Sequence, residues 1–289
     1  MAAERKEYSM KKGINICCFP DDFSLEQCFA LARENGYDGI ELNMLEDSTQ
    51  NPALTLNGKT DTPDSGWNAI LKLSEKYGLP VSSISTILHW KYPLTDSDPV
   101  KRQKGEDIVC RMIDAAKLLG CNTVLVVPGL VTKDVSYKTA YERSLEAFCT
   151  LKEYAEKAEI IIGIENVWNK FLLSPLEMAG FIDTINSTYV KAYFDAGNVL
   201  QYSYPEHWAE VLGERISKVH IKDFDVSIGN ISGFTNLLAG DMDWKPLINT
   251  LRAVGYDDYI TAELSPYKQY PEQLIKDTKH ALDLILDPV

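Results

Sequence analysis

Along the chain, short runs of β-branched and other apolar residues alternate with longer segments in which apolar positions recur every three or four residues. The short runs fall at residues 13–19 (GINICCF), 39–44, 80–87, 123–128, 160–166, 190–195, 216–222 and 259–264, which makes eight strand candidates. Between them, segments such as LEQCFALAREN, GWNAILKLSEKYG, VCRMIDAAKLLG and YERSLEAFCTLKEYAEKA carry the helical period of an amphipathic surface helix. Gly36, Gly78, Gly120 and Gly255 each end a helical pattern and lead into a strand, where a left-handed C-terminal cap suits glycine. Runs such as IIGIE and TVLVV are apolar without alternation, so those strands are buried on both faces, as parallel strands covered by helices are. Eight βα units joined by right-handed crossovers close into a barrel. The alternative, a doubly wound open sheet, would want a glycine-rich dinucleotide fingerprint after the first strand, and none is there. The pattern therefore predicts an α/β fold, a (β/α)8 barrel forming one domain over residues 13–289, preceded by a polar tail at 1–12.

Two connections are longer than the rest. Residues 45–65, after the second strand, and 224–243, after the seventh, are rich in Gly, Asn, Asp and Ser. In a barrel both emerge on the C-terminal face, which makes them candidate lids.

Composition narrows the functional classes. The formal net charge of -13 repels phosphate backbones, and there is no run of Lys or Arg to build a local basic groove, so nucleic acid is not an expected partner. The six cysteines, Cys17, Cys18, Cys28, Cys110, Cys121 and Cys149, lie in apolar segments without C-x-x-C spacing, which fits reduced, buried thiols in the cytoplasm. No stretch approaches the ~20 apolar residues that span a bilayer, and the polar start has no apolar core of a signal peptide. A cytoplasmic protein with no membrane partner is expected.

Four successive strand candidates end on a residue able to bind a metal: Glu165 in IIGIEN, Asp195 in KAYFDAGN, His220 in SKVHIKD and Glu263 in YITAELSP. Barrel closure brings carboxyl ends of strands to a common mouth, so residues distant in sequence become neighbours there. A carboxylate after four apolar residues carries a desolvation penalty of several kcal/mol unless it is paired or bound to a cation. Singly, each could cap a helix, pair with Lys222 or face solvent. Together, three carboxylates and an imidazole predict one divalent ion: Mn2+, Mg2+, Co2+ or Zn2+.

These motifs, IGIEN, FDAGN, VHIKD and TAELSP in that order, resemble the sugar phosphate isomerase/epimerase superfamily of xylose isomerase-like TIM barrels. Two further stretches, STILHWKYPLTDSD at 85–98 and FTNLLAGDMDW at 234–244, resemble L-ribulose-5-phosphate (L-xylulose-5-phosphate) 3-epimerases most closely. The resemblance implies metal ligands at Glu165, Asp195, His220 and Glu263, the same four that the strand ends supply. It implies proton transfer at C3 of a ketose, or of a sugar phosphate in particular, through an enediolate whose charge a divalent cation stabilises, with Glu165 and Glu263 as acid and base. Asn198 stands where ketose 3-epimerases of free sugars have a substrate-binding histidine, as in the phosphoketopentose enzymes. His89, by the same resemblance, is a substrate ligand.

From the residues themselves, Lys222 shares a strand face with His220 and either holds an anionic group or forms a salt bridge at the rim. Trp168 and Trp90 follow strands and either line a sugar pocket or pack under a loop. Lys91 is a candidate phosphate partner, while His207 and His280 fall on helical segments and are expected at the surface. The alternatives are an AP endonuclease-like phosphodiesterase of the same superfamily, a hydroxypyruvate isomerase or dehydratase with the same ligand set, and a non-catalytic sugar-binding barrel. Related barrels also suggest a homodimer or homotetramer.

Overall fold

A computed structural model describes residues 10–48, 50, 51, 54, 55 and 63–287. Eight parallel strands close on one another: β1 (Lys11–Asn15), β2 (Gly39–Asn43), β3 (Val81–Ser85), β4 (Thr123–Val126), β5 (Ile161–Glu165), β6 (Val190–Asp195), β7 (Ile216–Ile221) and, after a short two-stranded ribbon, β10 (Tyr259–Ala262). β1 pairs with both β2 and β10, which closes the barrel. The ribbon, β8 (Asp223–Phe224) with β9 (Phe234–Thr235), is antiparallel and overlaps the predicted lid at 224–243, beginning one residue before it. Much of the other lid candidate, at 45–65, lies outside the described residues.

The helices are α1 (Leu25–Glu34), α2 (Pro63–Tyr77), α3 (Pro99–Leu119), α4 (Tyr137–Ala158), α5 (Pro175–Ile185), α6 (Pro205–Leu212), α7 (Trp244–Ala253) and α8 (Gln273–Leu286). Local chemistry sets their ends. Ser24 and Gln27 form a capping box at the start of α1, a device worth about 1 kcal/mol. Asp98 caps α3 with Pro99 in its first turn, where the missing N–H costs nothing. All four glycines predicted to end helices have positive φ.

Most strands stop a residue or two short of the sequence pattern, and β1 departs from it most. β1 begins at Lys11, inside the expected tail, and stops at Asn15, with Ile16–Cys18 in a 3-10 turn. Lys11 and Lys12 pair with Tyr259 and Ile260, and Lys12 also reaches Asp283 of α8 and Asp287 just beyond it, each at 2.5 Å. Asn15 then ends the strand by accepting from Cys17 N at 2.8 Å. Interstrand pairing extends a strand into polar residues that hydrophobicity alone leaves out.

The apolar core lies between strands and helices, where Phe29, Phe148, Phe181 and Trp208 are fully buried, each contributing roughly 2–3 kcal/mol by transfer from water. Inside the barrel the lining is unusual. Asn15, Glu41, Ser83, Tyr193, Lys218 and His220 are buried there with polar side chains, where barrels ordinarily stack Val, Ile and Leu. Such groups persist in a core only when they satisfy one another.

Candidate metal and active site

Glu165 ends β5, Asp195 ends β6, His220 is the penultimate residue of β7, and Glu263 follows the last residue of β10. Closure of the barrel turns these four positions toward one point. One ligand atom from each of the four lies within 4.8 Å of every other. His220 Nδ1 faces Glu165 Oε1 at 3.4 Å and Glu263 Oε2 at 3.8 Å, is buried and has no hydrogen-bond partner. An orphaned imidazole nitrogen aimed at three carboxylates is the donor arrangement a divalent cation requires.

Several residues hold this geometry that the sequence reading did not single out. His220 Nε2 meets Glu41 Oε1 at 2.6 Å, and the other Glu41 oxygen accepts from Ser83 Oγ at 2.6 Å and Tyr193 Oη at 2.5 Å. Asn15 Nδ2 donates to Glu41 Oε1 as well, at 2.5 Å. Glu41 therefore fixes the ring so that Nδ1 points to the cluster, the role a carboxylate plays behind a metal-binding histidine. Asn166 clamps the end of β6, donating to Asp195 O at 2.7 Å and accepting from Asp195 N at 2.9 Å. The signal for Glu41 was present in the sequence as a lone acid inside the apolar strand GIELN.

The charges of the cluster shift its members in opposite directions. Burial pushes Glu165 up to about 7, with repulsion from Glu263 and Asp195 adding to it. Burial also raises Asp195. In Glu263 burial is outweighed by the Lys222 ammonium and by His220, which hold its carboxyl at about 2. Burial would lower His220, but Glu41 and Glu263 outweigh it and raise the ring well above its ordinary range. A ring of acids thus draws positive charge to its centre.

Lys222 is part of that response. Its ammonium sits 2.7 Å from Asp195 Oδ2 and also pairs with Glu263. Gly197 makes room for it: a Cβ there would stand 2.4 Å from Lys222 Cγ and 2.6 Å from Lys222 O. That close approach accounts for the glycine in FDAGN.

Above the cluster opens a cavity of about 410 Å³. Glu165, Glu263, Lys222, Trp168, Asn198 and Trp90 all line it. Trp168 Nε1 donates to Asn198 O at 2.7 Å, and its ring packs on Phe224 and Phe234 of the ribbon. Asn198 accepts nothing from the cluster but donates its N–H to Asp195 Oδ1 at 2.8 Å and its Nδ2 to Asn166 O at 3.0 Å, so it braces a ligand while bordering the cavity.

His89 is not among the lining residues. It falls in a 3-10 turn, Leu88–Trp90, which rotates the ring away from the mouth toward α3, where Nε2 lies 3.3 Å from Gly105 O. Its side chain is fully buried, and burial lowers it to about 4, so the ring is neutral. Lys91, the candidate phosphate partner, is committed to Glu46 at 2.5 Å. His207 on α6 and His280 on α8 are exposed, as expected. All six cysteines are free, and no helix among the described residues is long and apolar enough to cross a membrane.

Comparison with known proteins agrees with this fold. The family model described as xylose isomerase-like TIM barrel matches residues 29–285. The L-ribulose-5-phosphate 3-epimerase UlaE of Escherichia coli (strain K12) is 25% identical over 233 residues, which cover 78% of this chain and 77% of the relative. Among solved structures, D-psicose 3-epimerase from Clostridium cellulolyticum H10 with D-tagatose superposes with a TM-score of 0.76 at 14% identity, covering 96% of this chain and 98% of that one. D-Allulose 3-epimerase from Methylomonas sp. in complex with D-allulose gives 0.72 at 18% identity, covering 96% and 97%. At those identities the likeness is one of fold.

Proposed function

Since the chain belongs to the xylose isomerase-like TIM barrel family, we propose that it is a divalent-metal-dependent isomerase that inverts C3 of a ketose by proton transfer. The observation that carries this reading is the placing of Glu165 and Glu263, on strands β5 and β10, in one four-residue cluster beneath a cavity that both of them line. Its volume is within the range for small-molecule sites.

The difficulty of the reaction is the weak acidity of a hydrogen next to a ketone. Glu165, Asp195, His220 and Glu263 would hold a divalent cation, which would supply Lewis-acid stabilisation of the negative charge that develops on the substrate oxygens. Mn2+, Mg2+, Co2+ and Zn2+ all suit three oxygen donors and one nitrogen. The protein contributes the proton transfers. Glu165 and Glu263 come from different strands, so a substrate carbon lying between them meets a carboxyl group on each side. One removes the C3 proton and the other delivers a proton to the opposite side, which inverts the centre; in the reverse reaction the roles exchange. Lys222 holds Glu263 and Asp195 in place, Asn166 fixes the end of β6, and Glu41 orients His220. Trp168 and Asn198 border the sugar.

The phosphodiesterase alternative asks for a larger ligand set. Among the described residues only these four form a cluster of this kind.

The test follows the proton itself. Protein stripped with a chelator and reconstituted with Mn2+ is incubated with ketopentoses and ketohexoses in deuterated water, and C3 exchange is followed by NMR. Exchange at C3 is expected only with metal, and is expected to fall by on the order of 10²–10⁴-fold in Glu165→Gln and in Glu263→Gln, with the circular dichroism of both variants unchanged. Exchange at C1 instead would make the enzyme an aldose-ketose isomerase. Tight metal binding with no exchange in any ketose would overturn the reading.

A further inference from the structure

The cavity wall carries information about the substrate beyond its reacting carbon. Among the described residues the one cation lining it is Lys222, and that ammonium is already shared between Asp195 and Glu263. Its stem packs on the backbone of Gly197, which leaves it little freedom to turn to another anion. Lys91, next to the lining residue Trp90, and Lys104 both pair with Glu46.

The positions where barrels usually hold phosphate point the same way. Such sites are built from loops after the seventh and eighth strands and the N-terminus of a following helix. Here the helices that follow those strands open on acids, Asp243 before α7 and Glu272 before α8. A phosphate group at the start of α8 would face a carboxylate of like charge, and at the start of α7 it would meet Asp243 together with Lys245 of the first turn. In place of a phosphate loop after the seventh strand stands the β8–β9 ribbon, and it presents Ile231 and Phe234 to the cavity.

The outer wall is apolar. Ile87, Trp90 and Ile231 line the cavity while remaining 63%, 46% and 74% exposed, beside Trp168 and Phe234. A neutral sugar presents C–H faces that such side chains cover well, whereas a phosphate dianion would lose hydration there with no charge to replace it.

We propose that the substrate is an uncharged ketose without a phosphate group, its far end covered by Trp90, Ile231 and Phe234. This specificity rests on the reading of the cluster as a ketose epimerase centre. It separates the chain from what the name of its relative UlaE says that protein acts on, and it runs against the likeness of Asn198 to the phosphoketopentose enzymes, because Asn198 is spent on Asp195 and Asn166 and brings no charge to the cavity.

The experiment compares matched pairs on the Mn2+-loaded protein: L-ribulose with L-ribulose 5-phosphate, and D-fructose with D-fructose 6-phosphate. Binding is read from the quenching of tryptophan fluorescence, since Trp90 and Trp168 border the cavity, and C3 exchange is read on the same samples. Each free sugar is expected to bind at least about tenfold more tightly than its ester. Ile231→Lys, which places a cation on an exposed part of the wall, is expected to shift the ratio toward the ester by about tenfold. Equal or tighter binding of the esters by the unaltered protein overturns the inference, as does failure of all four compounds to bind. If the esters bind more tightly and exchange at C3, the epimerase reading stands and the specificity alone fails. If free sugars bind more tightly but neither member of a pair exchanges, the epimerase reading fails while the preference for an uncharged ligand is borne out.

Discussion

At the floor of the barrel Lys218 meets one carboxylate, Asp258, at 2.6 Å; at the mouth, four residues further along and just past the end of β7, Lys222 meets two, Asp195 at 2.7 Å and Glu263. Both lysines point to the barrel interior, as does His220 between them, because strand side chains alternate. The difference is in the balance. Lys218 and Asp258 neutralise each other beneath the Tyr259 ring, whereas Lys222 and His220 stand among Glu41, Glu165, Asp195 and Glu263. A balanced pair closes the floor. An excess of acid at the mouth leaves room for further positive charge, and the same strand therefore serves structure at one end and chemistry at the other.

The two buried histidines repeat the contrast, and they carry the largest expected effect on stability. His89 has a carbonyl partner and no carboxylate in contact, and burial lowers it from 6.5 to about 4. The fold accommodates the neutral ring, so its contribution is intact above pH 6.5, is lost as the pH falls toward 4 and is constant below that. The shift corresponds to about 3 kcal/mol. Denaturation followed between pH 7 and pH 4 is expected to show this slope, and His89→Gln is expected to flatten it; an unchanged slope in the variant would assign the loss to other groups.

Behind the other histidine, Glu41→Gln removes the charge that orients His220 while keeping its size. Metal affinity is expected to fall by about 10- to 100-fold, measured by chelator competition, with the variant still folded. If affinity is unchanged, the mouth does not depend on that brace and its contrast with the floor is weaker than described.

The smallest change is at the floor. Lys218→Met leaves Asp258 without its partner, but Asp258 is partly exposed and can take up water, so a loss of about 1–2 kcal/mol is expected in urea denaturation. Mn2+ affinity and C3 exchange should not move. A substantial drop in either would mean that the two ends are coupled along β7.

The eight-strand barrel was legible because each βα unit repeats the same switch between a buried apolar run and an amphipathic helix. The four-residue cluster was legible for a related reason: strand ends converge once a barrel closes, so four polar residues in equivalent places imply one site. What escaped is what depends on closure in three dimensions. Glu41 reaches His220 across the barrel from β2, and no spacing in the chain relates positions 41 and 220. Asn166 braces Asp195 through backbone atoms that sequence does not display. His89 lies off the cavity because a single 3-10 turn after β3 decides whether a ring faces the mouth or the helix layer, and the residues at 88–90 do not advertise which. The polar loop after β7 concealed the ribbon, since each of its strands has only two residues, too few for an alternating pattern.

That ribbon pairs only with itself and adds no strand to the closed sheet. Its base is held by Asp223 Oδ1, which accepts from Phe224 N at 2.9 Å and Met242 N at 3.0 Å, and Gly240 packs so closely there that a Cβ would stand 2.4 Å from the same oxygen. The segment between these anchors is therefore an exchangeable cassette: its length and tip can be rewritten without altering the register of any barrel strand. Directed variation of ligand preference in this scaffold has a natural address between residues 225 and 239, leaving the proton-transfer groups untouched.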